Sequence, residues 1–148
     1  MRELSESETR NLGFIIEKKI PYVLVQLTAT ALKHGMTDAT TPVRSLLGDT
    51  GLHNYEAQVF GPEAKQYLKT YIVTFKRLIE TLSSVYRSGS RGDCRIWFGS
   101  EIYPLTDADD IYTIVVKDRA LYLFNITKLD IQSFIKTSIP NPVKSFFI

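Results

Sequence analysis

At 148 residues, 44% of them hydrophobic and 23% charged, the chain suits one domain with a sizeable core and cannot be disordered throughout. Eighteen Lys and Arg against 16 Asp and Glu give a formal charge of only +2, so a polyanion-binding face has to come from local clustering. A single cysteine, Cys94, and two histidines, His34 and His53, exclude an internal disulfide framework and a cysteine-cluster zinc site.

The amino-terminal MRELSESETR lacks the apolar core of a signal peptide, and no apolar run approaches the roughly 18 residues of a membrane span. A soluble, cytoplasmic protein with no membrane partner is expected. Ser5 and Glu8 have capping-box spacing, and Leu12, Ile15 and Ile16 follow at helical period, which predicts a first helix from about Ser5 to Lys19, ahead of Pro21. Tyr22 to Leu27 is β-branched and aromatic enough for a buried strand, with a helix running on into Thr28 to Lys33 as the rival reading. Lys33 to Pro62 reads as a long irregular stretch, from which Arg44, His53, Asn54 and Gln58 could reach base edges.

Pro62 and Glu63 then open what reads as the longest helix, running to Val85, with Leu68, Ile72, Phe75, Ile79 and Leu82 as its apolar stripe. Lys65, Lys69, Lys76 and Arg77 lie off that stripe and could contact phosphates. The run Thr70 to Phe75 would serve equally as a strand. Arg95 to Phe98 predicts a short strand on which Trp97 and Phe98 face opposite ways. Asp110 to Val116 and Ala120 to Ile126 flank a tight turn at Lys117 to Arg119 and predict a β-hairpin. A short helix over Leu129 to Lys136 precedes a tail ending in Phe146, Phe147 and Ile148, which could pack on the core or on a partner. The whole reads as a single α+β domain, residues 1–148: a mostly antiparallel sheet covered by the long helix and the amino-terminal helix.

Between these elements lies the densest mixture of guanidinium groups and rings in the chain. Tyr86, Arg87, Arg91, Asp93, Arg95 and Trp97 fall in one segment, the mixture needed to hold phosphates and stack on bases, with Asp93 orienting an arginine. The alternative is a structural Asp93–Arg95 turn with Trp97 in the core. Catalytic motifs are incomplete. Asp109 or Asp110 stands where a PD-(D/E)xK nuclease has its first carboxylate, but Asn125 to Thr127 replace the acid-x-Lys pair and Lys128 falls one residue late, on the other side of a strand. A compensated site of Asp109 or Asp110 could recruit Glu101 or Glu56 together with Lys128, and it would need Mg, whereas binding alone needs no cofactor. Ser90 and Ser100 lack the nucleophile-elbow context, Gly89, Gly92 and Gly99 form no phosphate-binding fingerprint, and Cys94 reads as a small buried residue.

The run YRSGSRGDCRIWF resembles a Tyr-Arg, basic, Gly-Asp-x-Arg-Ile-Trp segment of bacterial type II restriction endonucleases, some of which carry an amino-terminal effector domain of the EcoRII kind. Tyr86, Arg87, Arg91, Gly92, Asp93, Arg95, Ile96 and Trp97 carry the match, supported by Gln58, Gly61, Pro62 and Leu123 to Thr127; Cys94 stands where such segments often have proline. The resemblance implies a double-stranded DNA-recognition module of a restriction or bacterial defence system, folded as an open β-pseudobarrel. It implies as partners a nuclease domain or a second copy of the chain, and it supplies no catalytic residues.

Overall fold

Ser5 starts the fold as its spacing with Glu8 requires. Its hydroxyl accepts the Glu8 N–H at 3.2 Å while the Glu8 carboxylate accepts the Ser5 N–H at 2.8 Å, opening helix α1 (Glu6–Glu17). In this computed structural model, which describes residues 1–74 and 77–136, Glu8 does more than cap. Arg2 grips both of its oxygens, at 2.7 and 2.5 Å, and the Thr127 hydroxyl donates to it at 2.5 Å. From the same helix, buried Asn11 donates to the carbonyls of Ile126 and Leu129 and accepts the Ile131 N–H. Residues over a hundred positions apart are thereby fastened together.

Strand β1 (Tyr22–Leu27) follows, and the rival helix begins only after it: Thr28 caps α2 (Ala29–His34), which closes on Gly35 at φ 71°. The stretch expected to be irregular contains β2 (Thr37–Asp38), α3 (Thr41–Asp49, with Pro42 in its first turn) and a 3-10 turn at Tyr55–Ala57. Its polar residues serve the fold. Gln58 donates to the Ala64 and Val85 carbonyls and meets the buried His53 ring at 2.9 Å, Arg44 bonds the Ala39 carbonyl, and Asn54 caps the 3-10 turn. His53 and Gln58 are buried in these bonds, whereas Arg44 and Asn54 remain at the surface.

The expected long helix from Pro62 to Val85 does not form. Only Pro62–Ala64 is helical, as a 3-10 turn, and the remainder is an antiparallel pair, β3 (Gln66–Val73) and β4 (Leu78–Arg87). Spacings of four are the cause of the misreading, because four is a multiple of two as well as close to one helical turn, so Leu68 and Ile72 share a strand face just as they would share a helix face. Between them Thr70 also points inward, made burial-compatible by its hydroxyl bond to Ser83 at 2.7 Å. Leu82, placed on the helix stripe, is 55% exposed. Phe75 and Lys76 lie outside the described residues, as does the tail from residue 137.

Strand β5 (Cys94–Trp97), the hairpin β6 (Asp110–Lys117) and β7 (Ala120–Asn125), and α4 (Ile131–Ile135) complete the order. The hairpin turns on Asp118 and Arg119, both left-handed at φ 51° and 62°, the geometry that matches strand twist in a two-residue turn. The seven strands make one sheet, β1-β6-β7-β3-β4-β5-β2, antiparallel except where β3 meets β7, and it curls into a nearly closed barrel. Inward residues such as Val25, Ile72, Val85, Ile96, Ile114 and Leu123 fill the barrel, and α3 plugs it with Val43, Leu46 and Leu47. Outside, α1 and α4 place Leu12, Ile15, Ile131 and Phe134 on the outer face of β6 and β7, making a second core that ends at Tyr71 and Val73 of β3 and Leu78 of β4. These two helices do the covering that the sequence assigned to a single long one. No helix among the described residues is long and apolar enough to cross a membrane.

Candidate nucleic-acid interface

Beyond Tyr71 neither α1 nor α4 covers the outer face of the barrel, and register decides what it displays. Ser84 lies opposite Tyr67 on one side and Trp97 on the other, Leu82 opposite Lys69, and Tyr86 opposite Arg95. Their chain neighbours Val85 and Ile96 point into the barrel. Trp97 faces outward and Phe98 inward, the opposition expected of neighbours on a strand. Tyr67 is 61% exposed, Lys69 lies 5.3 Å from the Tyr71 ring centroid, and Tyr71 stacks on Tyr122 at 5.0 Å.

The end of α2 folds over part of this face and turns it into a cleft. Gly35 permits the approach: a Cβ there would stand 2.7 Å from the Tyr103 hydroxyl and would need the left-handed backbone besides. Next to it the Tyr86 hydroxyl donates to the Met36 sulfur at 2.9 Å, and Trp97 Nε1 donates to the Tyr103 hydroxyl at 3.2 Å. The resulting cleft, about 250 Å³, is lined by His34, Gly35, Met36, Lys65, Ser84, Tyr86 and Trp97, with Lys65 Nζ 5.3 Å from the Tyr86 ring. It adjoins a groove of about 400 Å³ between α2 and β2, which shares His34 and Met36 and reaches Asp38 and Arg95.

Two buried polar atoms here have no hydrogen-bond partner among the described residues. One is the Ser84 hydroxyl, in a residue 1% exposed; the other is Arg95 Nε, whose contact with Asp38 is an ion pair at 3.5 Å. Buried polar groups are nearly always paired, so the Ser84 hydroxyl, which has no ion pair either, marks a place where something else can bond.

The arginine-rich segment divides. Arg87 points to the barrel end, where its Nε donates to the Gly92 carbonyl at 2.8 Å, Nη1 donates to the Tyr55 carbonyl at 3.3 Å, and the guanidinium lies 4.4 Å from the Phe60 ring centroid. These contacts fasten the fold, and the side chain is partly buried. Asp93 holds Arg91 at 3.0 Å and Arg95 at 3.3 Å. Arg91, 78% exposed at the side chain, remains outward, while Arg95 lies half-buried in the groove. Tyr86, Trp97 and Lys65 come together at the cleft, and Lys69 lies one strand over. Arg77 stands before the first residue of β4, at the end of the strand away from Tyr86. The sequence reading missed Ser84, His34 and Met36; alternation along β4 would have pointed to Ser84 had that segment been read as a strand.

The nuclease-like constellation is assembled differently from its expectation. β7 ends at Asn125, so Lys128 folds back and reaches Asp110 at 2.9 Å and Asp107 at 2.7 Å, bonds that raise the Lys128 pKa above the ordinary lysine value. The Asp110 carboxylate also accepts from the Asp107 N–H and from Asn125 Nδ2, which leaves it occupied. Asp109, at φ 73°, turns aside to accept from Gln26. Glu101 accepts the Thr81 hydroxyl at 2.5 Å, Glu56 sits on the 3-10 turn after Asn54, and no cluster of three or more His, Cys, Asp or Glu able to hold a metal occurs among the described residues.

No family model, curated protein or solved structure matches the chain. The likeness to restriction effector domains therefore rests on the Tyr86 to Trp97 segment, in which Arg87 and Gly92 have structural duties of their own.

Proposed function

We propose that this chain is a double-stranded DNA-binding module of a restriction or defence endonuclease system, and that the DNA lies across the outer face of β3, β4 and β5. The observation that supports this reading is the gathering, on the one sheet face left uncovered by α1 and α4, of Lys65, Lys69, Tyr67, Tyr86 and Trp97, with Arg91 on the adjoining loop. Cations supply the sequence-independent attraction to phosphates and hold position. A nuclease domain or a second copy of the chain would supply cleavage, since the Asp110 carboxylate is engaged by its neighbours.

The test is an anisotropy titration of the protein with a labelled random-sequence duplex at about 50 and about 200 mM salt, in EDTA and then in Mg, with strand integrity followed alongside. Three phosphate contacts, from Lys65, Lys69 and Arg91, give a log–log salt slope of about −3. Replacing both lysines by glutamate should abolish measurable binding without changing the melting temperature. Binding that ignores salt, or that survives the double replacement, removes this face from the reading; cutting in Mg that is lost in Asp110→Asn would turn it to catalysis.

A further inference from the structure

Resting on that reading, we propose that the cleft between α2 and the β4–β5 pair receives one unstacked nucleobase, so that the preferred ligand is a duplex carrying an unpaired or extruded nucleotide. The walls of the cleft suit a base. Trp97 and Tyr86 offer two rings at neighbouring outward positions, and base–aromatic stacking is indifferent to sequence because every base has a π-face. Ser84 lies between them and Tyr67 across the sheet; its hydroxyl is buried and without a partner, and it can donate to or accept from a base edge.

The surroundings suit the rest of a nucleotide. Lys65 and His34 stand at the cleft, where a phosphate would meet the Lys65 ammonium, while Arg95 at the far end of the adjoining groove is held by Asp38 and Asp93. At about 250 Å³ the cleft has room for a single heterocycle, and the groove of about 400 Å³ takes the sugar and phosphate. A fully stacked duplex cannot enter with its bases, which is why the unpaired nucleotide is the ligand that satisfies the orphaned Ser84 hydroxyl.

Trp97 is the chain's one tryptophan, so its emission reports on this cleft and on nothing else. The experiment compares two duplexes of equal length, one fully paired and one with a single bulged nucleotide, by anisotropy and by Trp97 emission. The bulged duplex should bind roughly tenfold tighter and quench Trp97, the scale set by one added stacked base. Ser84→Ala should reduce that preference several-fold while leaving affinity for the paired duplex and the melting temperature no lower than in the parent. Equal affinities with unchanged Trp97 emission would overturn the base pocket while leaving duplex binding intact. Absence of binding to either duplex would overturn the DNA reading and the pocket with it. The comparison of the two duplexes on the parent protein decides the matter even if the variant is poorly folded.

Discussion

Arg87 and Arg91 are four residues apart in the segment most suggestive of DNA binding, yet their replacement by alanine should have opposite consequences. Arg87→Ala removes a 2.8 Å bond to the Gly92 carbonyl, a 3.3 Å bond to the Tyr55 carbonyl and the contact with the Phe60 ring. A hydrogen bond with one charged partner is worth about 1.5 to 3 kcal/mol, and the longer bond belongs below that range. Adding roughly 0.5 to 1 kcal/mol for the guanidinium–ring contact, the total loss comes to about 3 kcal/mol. For a domain of this size that lowers the melting temperature by roughly 6 to 12 °C. Arg91→Ala, by contrast, breaks an exposed pair with Asp93 worth at most about 1 kcal/mol and should leave the melt nearly unchanged. In duplex binding the order reverses: Arg91→Ala lowers the salt slope by about one, and Arg87→Ala binds normally at temperatures where it is folded. Arg87→Lys should recover only part of the stability, since one ammonium cannot span two carbonyls and cover a ring as a planar guanidinium does. Thermal melts and salt-dependent titrations of the three variants provide the check. An Arg87→Ala protein that melts within about 2 °C of the parent and loses DNA affinity as Arg91→Ala does would show that Arg87 works outward and that the internal assignment is wrong.

Glu8→Gln should cost about 3 kcal/mol at pH 7, the lower end for breaking a buried pair, because Arg2 keeps part of its access to water. The Arg2 hydrogen bonds hold the Glu8 carboxyl well below the ordinary carboxylate range, so its contribution is complete above the unfolded value near 4.3 and fades as pH falls below it. Urea melts should therefore show a gap between parent and variant that narrows on acidification, and a gap constant from pH 7 to pH 3 would exclude the charge as its origin. Gly92→Ala should destabilise by about 2 kcal/mol or more in the same melts, since its φ of 71° is strained for any Cβ and that Cβ would run into the Phe60 ring that Arg87 rests on; a neutral effect would mean that the β4–β5 loop relaxes freely.

Local rules made some of these elements legible. The Ser5–Glu8 box, the β-branched run at Tyr22 and the tight turn at Asp118–Arg119 each depend on residues within a few positions of one another, and each forms as the sequence implies. The β3–β4 pair was not legible in this way, because Leu68, Ile72, Ile79 and Leu82 fit both periodicities in part and Pro62 and Glu63 supply a good helix start that stops after one 3-10 turn. Errors at the site descend from that one. Ser84 acquires meaning only from standing opposite Trp97, a relation between strands that no reading of a helix contains. Arg87 was grouped with Arg91 because letters do not show direction: one residue's alternation on β4 takes Tyr86 outward and sends Arg87 to the barrel end. Lys128, grouped with Asp110 but expected on the other side of a strand, reaches it because the strand stops at Asn125 and alternation no longer governs the residues beyond it.

The uncovered face results from how little helix the chain places outside the barrel. Curling lets the inner face cover itself with the help of α3, but the outer face relies on α1, of 12 residues, and α4, of 5. The core they build takes in β1, β6 and β7 and stops at Tyr71 and Val73 of β3 and Leu78 at the start of β4. Past that boundary the outward positions hold Tyr67, Leu82, Tyr86 and Trp97, a set that would invite nonspecific association if it stood alone. Lys65 over Tyr86 and Lys69 over Tyr71 keep it from standing alone. An ammonium carried above a ring makes the face soluble and at the same time attractive to a polyanion with planar groups, so the device that permits an uncovered sheet in water is also the one that the proposed DNA-binding role would use.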